Sequence, residues 1–125
     1  MLGRFAPHAT LAVSDMERAK DWYREKLGFE PSSEDEGGTW YESGGATFAL
    51  IHSSEAGTAK NTVMEWTVEG IEEIAAELKD RGVELDQFEM PGVEWDDGIA
   101  SMGPFKGCWF RDSEGNVLAL TERVG

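Results

Sequence analysis

Two histidines and one carboxylate are the residues of this chain best suited to acid–base chemistry. His8 and His52 are the only histidines among 125 residues. Because the unperturbed pKa of histidine lies near neutrality, His8 is a candidate general base or ligand-binding donor. The alternative is a structural histidine held by a hydrogen bond. Glu65, in the segment TVMEWTV, is a candidate to hold a cation or abstract a proton, and its alternative is a salt bridge to Arg111 or Arg123.

Five tryptophans form a second group of candidate binding residues. Aromatic faces bind flat or cationic ligands by stacking and cation–π contacts, each worth about 1–2 kcal/mol. Three of the five are expected in strands or loops near a cleft: Trp40, Trp95 and Trp109. The alternative for each is ordinary core packing. That is the expectation for the other two, Trp22 and Trp66.

The charge balance limits the classes of partner. A net charge of −14 repels the phosphates of nucleic acids and of anionic membranes, so neither is expected to bind. A cationic ligand is compatible with this charge; the alternative is a solvated acidic surface that keeps the protein soluble. Glu94, Asp96 and Asp97 flank Trp95 in the segment 90–97, which is predicted to be a loop. This loop is either a lid that attracts cations or a simple solvated connection.

Composition and the absence of several motifs narrow the possibilities further. The single Cys108 excludes an intramolecular disulfide and a cysteine-based zinc site, and a buried inert thiol is expected. No run of about 18 apolar residues is present, and the N-terminus lacks a signal-peptide core. The expectation is therefore a cytoplasmic protein without a membrane span. The sequence contains no glycine-rich phosphate loop, nucleophile elbow or HExxH motif.

The candidate residues lie in a chain that contains an internal repeat, so two similar structural modules are expected to position them. The segments LAVSDMERAKDWYREKLGF and WTVEGIEEIAAELKDRGV each combine a strand, a helix start, an amphipathic helix and a closing glycine. Val13 and Val68 are 55 positions apart, and Gly28 and Gly82 are 54 apart. Such near-constant spacing indicates duplicated modules, here two of βαβββ type. Ligand sites favour concave junctions, so we expect the site where the modules meet.

Hydrophobic periodicity and turn residues predict the elements of both modules. In module one, strands are predicted at 5–13, 29–34, 39–42 and 46–52. The intervening helix is predicted to begin at a capping box of Ser14 and Glu17 and to end at Gly28. In module two, strands are predicted at 62–68, 83–88, 98–102, 108–111 and 117–122, with a helix that ends at Gly82.

With these elements in place, the chain resembles the vicinal oxygen chelate superfamily over nearly its full length. That superfamily includes glyoxalase I, the extradiol dioxygenases, methylmalonyl-CoA epimerase and the bleomycin-resistance binding proteins. The resemblance is carried by HATLAVSD at 8–15, RAKDWYREKLGF at 18–29, the pair Gly44-Gly45, and WFRDSEGNVLAL at 109–120. Ser113 is a departure, because many members have proline after the aspartate.

The resemblance implies an α+β fold in which two βαβββ modules form a cupped mixed sheet around a shared cleft. Module one would span about 1–53, a linker about 53–60, and module two about 61–125 of a single domain. Many members are dimers, so a homodimer is expected.

The resemblance also provides a test for a metal site. Members that do chemistry usually hold a divalent metal with His, Glu or Gln from the first and last strands of each module, because a Lewis acid must polarise vicinal oxygens. The matching positions here are His8, Ala49, Val63 and Ala119. Three of them cannot donate to a metal, so no metal and no other cofactor are expected. The alternative is a shifted site that uses Glu65 or His52.

Alternation along the strands predicts what lines the cleft instead. If the four matching positions face the cleft, so do Thr10, Thr47, Ile51, Glu65, Thr67, Val117 and Thr121. The opposite face then carries Leu11, Val13, Phe48, Leu50, Trp66, Val68, Leu118 and Leu120. These residues are apolar throughout, as a face covered by helices requires.

Three functions follow from these expectations. The first is a metal-free small-molecule-binding protein of the glyoxalase/bleomycin-resistance type. It would bind an aromatic or cationic ligand through His8, Thr10, Trp40, Glu65, Trp95 and Trp109. The second is a lyase or isomerase that uses Glu65 or His8 as acid or base, or a metal at shifted positions. The third is an interaction protein that keeps only the fold.

Overall fold

The protein has an α+β fold with two mixed sheets, one from each half of the chain. The computed structural model describes all 125 residues, Met1–Gly125. The first half contains β1 (Ala9–Val13), α1 (Met16–Trp22), a π-helical continuation of α1 (Tyr23–Leu27), β2 (Ser33–Asp35), β3 (Gly38–Ser43) and β4 (Ala46–His52). The second half contains β5 (Thr62–Thr67), α2 (Ile71–Asp80), β6 (Leu85–Asp86), β7 (Glu94–Asp96), β8 (Ile99–Met102), β9 (Phe105–Arg111) and β10 (Val117–Arg123). No helix is long and apolar enough to cross a membrane.

The two sheets repeat one topology. The first sheet has the order β1-β4-β3-β2, and the second has the order β5-β10-β9-β8-β7, with β6 paired to β9. In each sheet the strand before the helix lies parallel to the last strand, and the remaining pairs are antiparallel. This arrangement confirms the predicted duplication of an α+β module.

The second module has six strands, two more than a βαβββ unit and one more than the five strands predicted from the sequence. The additional strand is β7, which lies inside the segment 90–97 and pairs with β8. The prediction that this whole segment is a loop was wrong. The hairpin turns at Asp97-Gly98, where both residues have positive φ, 54° and 87°. An Asp-Gly pair between alternating residues is a strong hairpin signal that the sequence analysis missed. The strands β2 and β6 are shorter than predicted, with three and two residues.

One continuous core joins the modules. The predicted apolar face is confirmed: Leu11, Val13, Phe48, Leu50, Leu118 and Leu120 are all buried, and Trp66 and Val68 pack against them. Helix α2 adds Ile71, Ala75 and Leu78 to this core, while Ile74 is only partly buried and packs against it. Cys108 is fully buried, and burial raises the pKa of its thiol to about 11, in agreement with an inert side chain.

Helix α1 begins differently from the prediction. Asp15 is the N-cap, and its carboxylate accepts a hydrogen bond from the Arg18 backbone N–H at 3.1 Å. The backbone N–H and hydroxyl of Ser14 both donate instead to Glu114 of module two, at 3.0 and 3.1 Å. The predicted capping box of Ser14 and Glu17 is therefore wrong, because a carboxylate from the other module takes its place.

A turn of module two connects the modules through charged and polar contacts, and we call it the inter-module clasp (Asp112–Asn116). Glu114 accepts hydrogen bonds from Arg18 Nε at 2.8 Å and from Arg18 Nη2 at 3.0 Å. The Tyr23 hydroxyl donates to Asp112 at 2.8 Å, and the Asn116 amide donates to a carbonyl oxygen of β1 at 2.9 Å. Hydrogen bonding to Arg18 lowers the pKa of Glu114 to about 2, although burial opposes this shift.

Candidate functional site

The open face of each sheet, which points away from the core, carries one short row of side chains across three strands. In module one, Thr10 pairs with Ala49 and Ala49 pairs with Trp40; we call these residues row one. Thr10 is exposed and Trp40 is partly exposed, whereas Ala49 is fully buried. Row one is therefore a shallow hollow whose floor is a methyl group and whose sides are a threonine and an indole.

Row two is the equivalent row of module two. Glu65 pairs with Ala119, and Ala119 pairs with Trp109. Ala119 is fully buried, Glu65 is exposed and Trp109 is partly exposed. Because strands lie about 4.8 Å apart, Glu65 and Trp109 face each other across roughly 10 Å above the alanine. The carboxylate in row two replaces the hydroxyl of row one.

His8 lies at the edge of row one and next to module two. Its ring contacts Trp40 edge to face, with ring centroids 4.8 Å apart. His8 and Glu65 line the same cavity of about 350 Å³ at the junction of β1, β4 and β5. The structure thus brings these two acid–base candidates from different modules to one depression. The other histidine, His52, is exposed at the end of β4 and borders a separate depression.

An exposed aromatic cluster extends row two. Trp95 lies on β7 with its ring centroid 6.0 Å from that of Trp109, so these two predicted residues lie together. Phe88 completes the cluster, at 5.7 Å from Trp95 and 5.1 Å from Trp109. Its side chain is 45% exposed. The sequence analysis missed Phe88 because it placed the residue at the end of an ordinary strand.

Glu65 has no basic partner within salt-bridge distance. The predicted alternative partners are engaged elsewhere: Arg111 pairs with Asp86 at 3.0 Å, and Arg123 lies over the Phe105 ring at 5.1 Å. The salt-bridge interpretation of Glu65 is therefore wrong. A carboxylate without a counter-ion, separated from the indole of Trp109 by the width of one strand, attracts a positive charge from solution.

Three of the four residues at the family's metal-ligand positions have no side-chain atom that can bind a metal ion. Ala49 and Ala119 are buried methyl groups, and Val63 is partly buried. No group of three His, Cys, Asp or Glu side chains in the chain is arranged to hold a metal ion. The strand pairing supports the alignment of the two modules that was used to find these positions. Thr10 pairs with Ala49 in module one, and Glu65 pairs with Ala119 in the same way in module two.

Two predicted packing residues and one predicted lid residue have structural partners. Trp22 stacks on Phe110 with ring centroids 6.5 Å apart. Trp66 packs against the core and donates its indole N–H to Ser43 at 3.2 Å. Asp97 forms a salt bridge with Lys79 at 2.8 Å, which ties the tip of the β7–β8 hairpin to helix α2.

Comparison with known proteins places the chain in a family. The model of the Glyoxalase/Bleomycin resistance protein/Dioxygenase superfamily matches residues 6–120. A glyoxalase family protein from Enterococcus faecalis has a similar structure, with a TM-score of 0.72, 25% identity, and coverage of 98% of this chain and 100% of that chain. No curated protein sequence matches the chain.

Two further solved structures share the fold at lower identity. TnmS3, an antibiotic binding protein from Streptomyces sp. CB03234, has a TM-score of 0.69 and 22% identity, and covers 98% of each chain. A glyoxalase/bleomycin resistance protein/dioxygenase from Nocardioides has a TM-score of 0.68 and 18% identity, with coverage of 94% of this chain and 82% of that chain. Together with the family match, these findings confirm the predicted resemblance: the chain belongs to the glyoxalase/bleomycin resistance protein/dioxygenase superfamily.

Proposed function

We propose that the protein binds a small aromatic cation on the open face of module two, without a metal ion. The observation that carries this proposal is row two itself: a carboxylate without a counter-ion, a buried alanine floor and an exposed aromatic cluster on one face. TnmS3, which shares the fold, is an antibiotic binding protein, and this supports a binding function.

The physical basis is a combination of stacking and charge. The rings of Phe88, Trp95 and Trp109 are packed on one another, so a ligand stacks on their outer faces rather than between them. Glu65 then supplies the negative charge at the other side of the alanine floor. In this proposal His8, which lines the cavity shared with Glu65, and the row-one residues Thr10 and Trp40 contact the far end of an extended ligand.

Binding of a planar aromatic cation, 9-aminoacridine, tests this proposal by tryptophan fluorescence quenching. Trp109→Ala is expected to weaken binding roughly tenfold through loss of stacking and cation–π contact, and Trp40→Ala by less. Glu65→Gln is expected to weaken binding of the cation but not of neutral acridine analogues. Glu73→Gln is the matched control, since it changes the net charge equally on an exposed face of α2.

Two results would contradict the proposed site. Equal weakening by Glu65→Gln and Glu73→Gln would mean that only the overall charge attracts the cation. Stoichiometric zinc, nickel, manganese or iron, measured by elemental analysis of the protein purified without chelators, would contradict the metal-free part.

We also propose that the protein is a homodimer whose contact includes the open face of module two. Phe88 and Phe105 are large apolar residues exposed at 45% and 41%, and both belong to this half of the chain. Phe105 lies on β9 four residues before Trp109, so alternation along the strand places its exposed ring on the same face. Light scattering is expected to give twice 13.8 kDa. Phe105→Glu is expected to shift the mass to that of one chain.

A lyase or isomerase is a second candidate function, because His8 and Glu65 line one cavity. A histidine and a carboxylate at one cavity are suited to proton transfer next to a carbonyl group. If this function holds, Glu65→Gln abolishes turnover of a carbonyl substrate while its binding persists. Recovery of every bound compound unchanged after prolonged incubation would favour the binding function.

A further inference from the structure

A second cavity lies on the helix side of the molecule, away from rows one and two. It has a volume of about 250 Å³ and opens between the end of helix α1 and helix α2. Both modules contribute to its apolar lining, which includes Leu27, Phe29, Trp66, Ile74, Leu78 and Phe110. An apolar cavity of about 150 Å³ is large enough to hold a benzene ring, so this one admits a single substituted ring.

The walls of this cavity favour a flat guest. Phe29 and Trp66 lie nearly parallel, at an angle of 20°, with ring centroids 6.2 Å apart. The indole N–H of Trp66 is already bonded to Ser43, so it does not require a polar group on the guest. The two rings are packed on one another, so an aromatic guest contacts their free edges and outer faces rather than entering between them.

The mouth of the cavity carries a net positive charge in a strongly acidic protein. Its charged lining residues are Lys26, Arg81 and Glu77. Arg81 is neutralised by Glu77 at 2.8 Å, whereas Lys26 forms no salt bridge and donates only to the Arg81 carbonyl oxygen. Lys26 is therefore a cation without a carboxylate partner at the rim of an apolar cavity, which favours an anionic group on the guest.

We propose that this cavity is a second binding site that takes a small aromatic carboxylate. The ring lies among the apolar residues, and the carboxylate meets Lys26 at the mouth. The site does not depend on row two, and it selects the opposite charge. Because its walls come from both modules, an occupant holds the modules together.

Phenylacetate is the probe that tests this site, with benzyl alcohol and phenethylamine as its neutral and cationic counterparts. For a ligand of ten non-hydrogen atoms we expect a Kd of roughly 1 mM. The reporter is the pair of Leu78 methyl signals in carbon-13 NMR, assigned with Leu78→Ile, because Leu78 lines this cavity but not that of His8 and Glu65, whereas Trp66 lines both. Phenylacetate is expected to shift these signals and to leave the Trp109 indole signal in nitrogen-15 NMR in place, which separates the result from the open-face proposal.

Two substitutions examine the cavity and its charge separately. Ile74→Phe fills the cavity and is expected to abolish the shift, whereas Ala76→Phe, on the exposed side of the same helix, is the matched control. Lys26→Gln is expected to weaken phenylacetate binding roughly three- to tenfold and to leave benzyl alcohol binding unchanged.

The outcomes are decisive in either direction. Unchanged Leu78 methyl signals at 20 mM phenylacetate overturn the site. So does binding that survives Ile74→Phe in a folded variant. Equal binding of phenylacetate and phenethylamine overturns the assignment of an anionic guest. If Ile74→Phe does not fold, Lys26→Gln still tests the charge preference on an intact cavity.

Discussion

Replacing Glu114 by glutamine is expected to lower the free energy of unfolding by about 3 kcal/mol. The Glu114 side chain is fully buried and accepts hydrogen bonds from Ser14, Asp15, Arg18 and Ser113. The glutamine amide group presents donors to the Arg18 guanidinium and removes the negative charge that this cation requires. Urea denaturation at neutral pH measures the loss.

The matched control for this change is Glu17→Gln, in the first turn of the same helix. Glu17 is an exposed acid whose nearest cation is Lys20 at 3.7 Å, so its loss should change stability by less than about 0.5 kcal/mol. Equal effects of the two substitutions would show that the inter-module clasp contributes nothing beyond net charge.

The effect of Glu114→Gln also depends on pH in a defined direction. The folded-state pKa of Glu114 is about 2, below its ordinary value of 4.5. The stabilisation is therefore complete above pH 4.5 and is lost as the pH falls towards 2. The stability difference between the parent protein and Glu114→Gln should be constant from pH 7 to pH 5 and should narrow below that. A difference that does not narrow would assign the effect to packing rather than to charge.

Gly57→Ala is expected to lower the free energy of unfolding by about 2–4 kcal/mol, an effect of similar size. Gly57 lies in the segment that joins the sheets, has a φ of +73°, and packs directly on the clasp. A Cβ atom there would lie 2.6 Å from the Glu114 carbonyl oxygen and 3.3 Å from the Gly115 Cα. Neither backbone atom can move without disturbing the clasp, so steric overlap adds to left-handed strain.

Gly44→Ala separates these two contributions. Gly44 has a similar φ of +57°, but a Cβ atom there would meet nothing within 4 Å. Its alanine variant should cost only about 1 kcal/mol, from backbone strain alone. Thermal denaturation of both variants measures the difference, and equal costs would mean that the joining segment is not packed on the clasp.

The fold could be predicted from local features of the sequence. Helix α1 ends at Gly28 with a φ of 79°, as the closing glycine indicated, and β4 has the predicted bounds Ala46–His52. Alternation assigned the core face correctly because burial selects apolar residues at every second position of a strand. The duplication then aligned Thr10 with Glu65, and the pairing register agrees.

The remaining features depend on contacts between distant residues. Ser14 and Glu114 are 100 positions apart, and no local pattern showed that a carboxylate would replace the capping box. Phe88 joins Trp95 and Trp109 only because β6, β7 and β9 belong to one sheet. The cavity beside Lys26 arises where two helices pack near each other. Hydrophobic periodicity identifies the apolar side of each helix separately, so it does not show the space between two helices.

The two open-face rows are unequal copies of one arrangement. Duplication provides two hollows per chain, but a single position, threonine in one and glutamate in the other, gives them different charges. In the proposed binding mode the consequence concerns stoichiometry: a singly charged cation is expected to occupy one hollow per chain instead of two. A ligand whose two ends differ in charge is also expected to bind in one orientation. The two rows, equivalent in the original duplication, then bind different ends of the ligand.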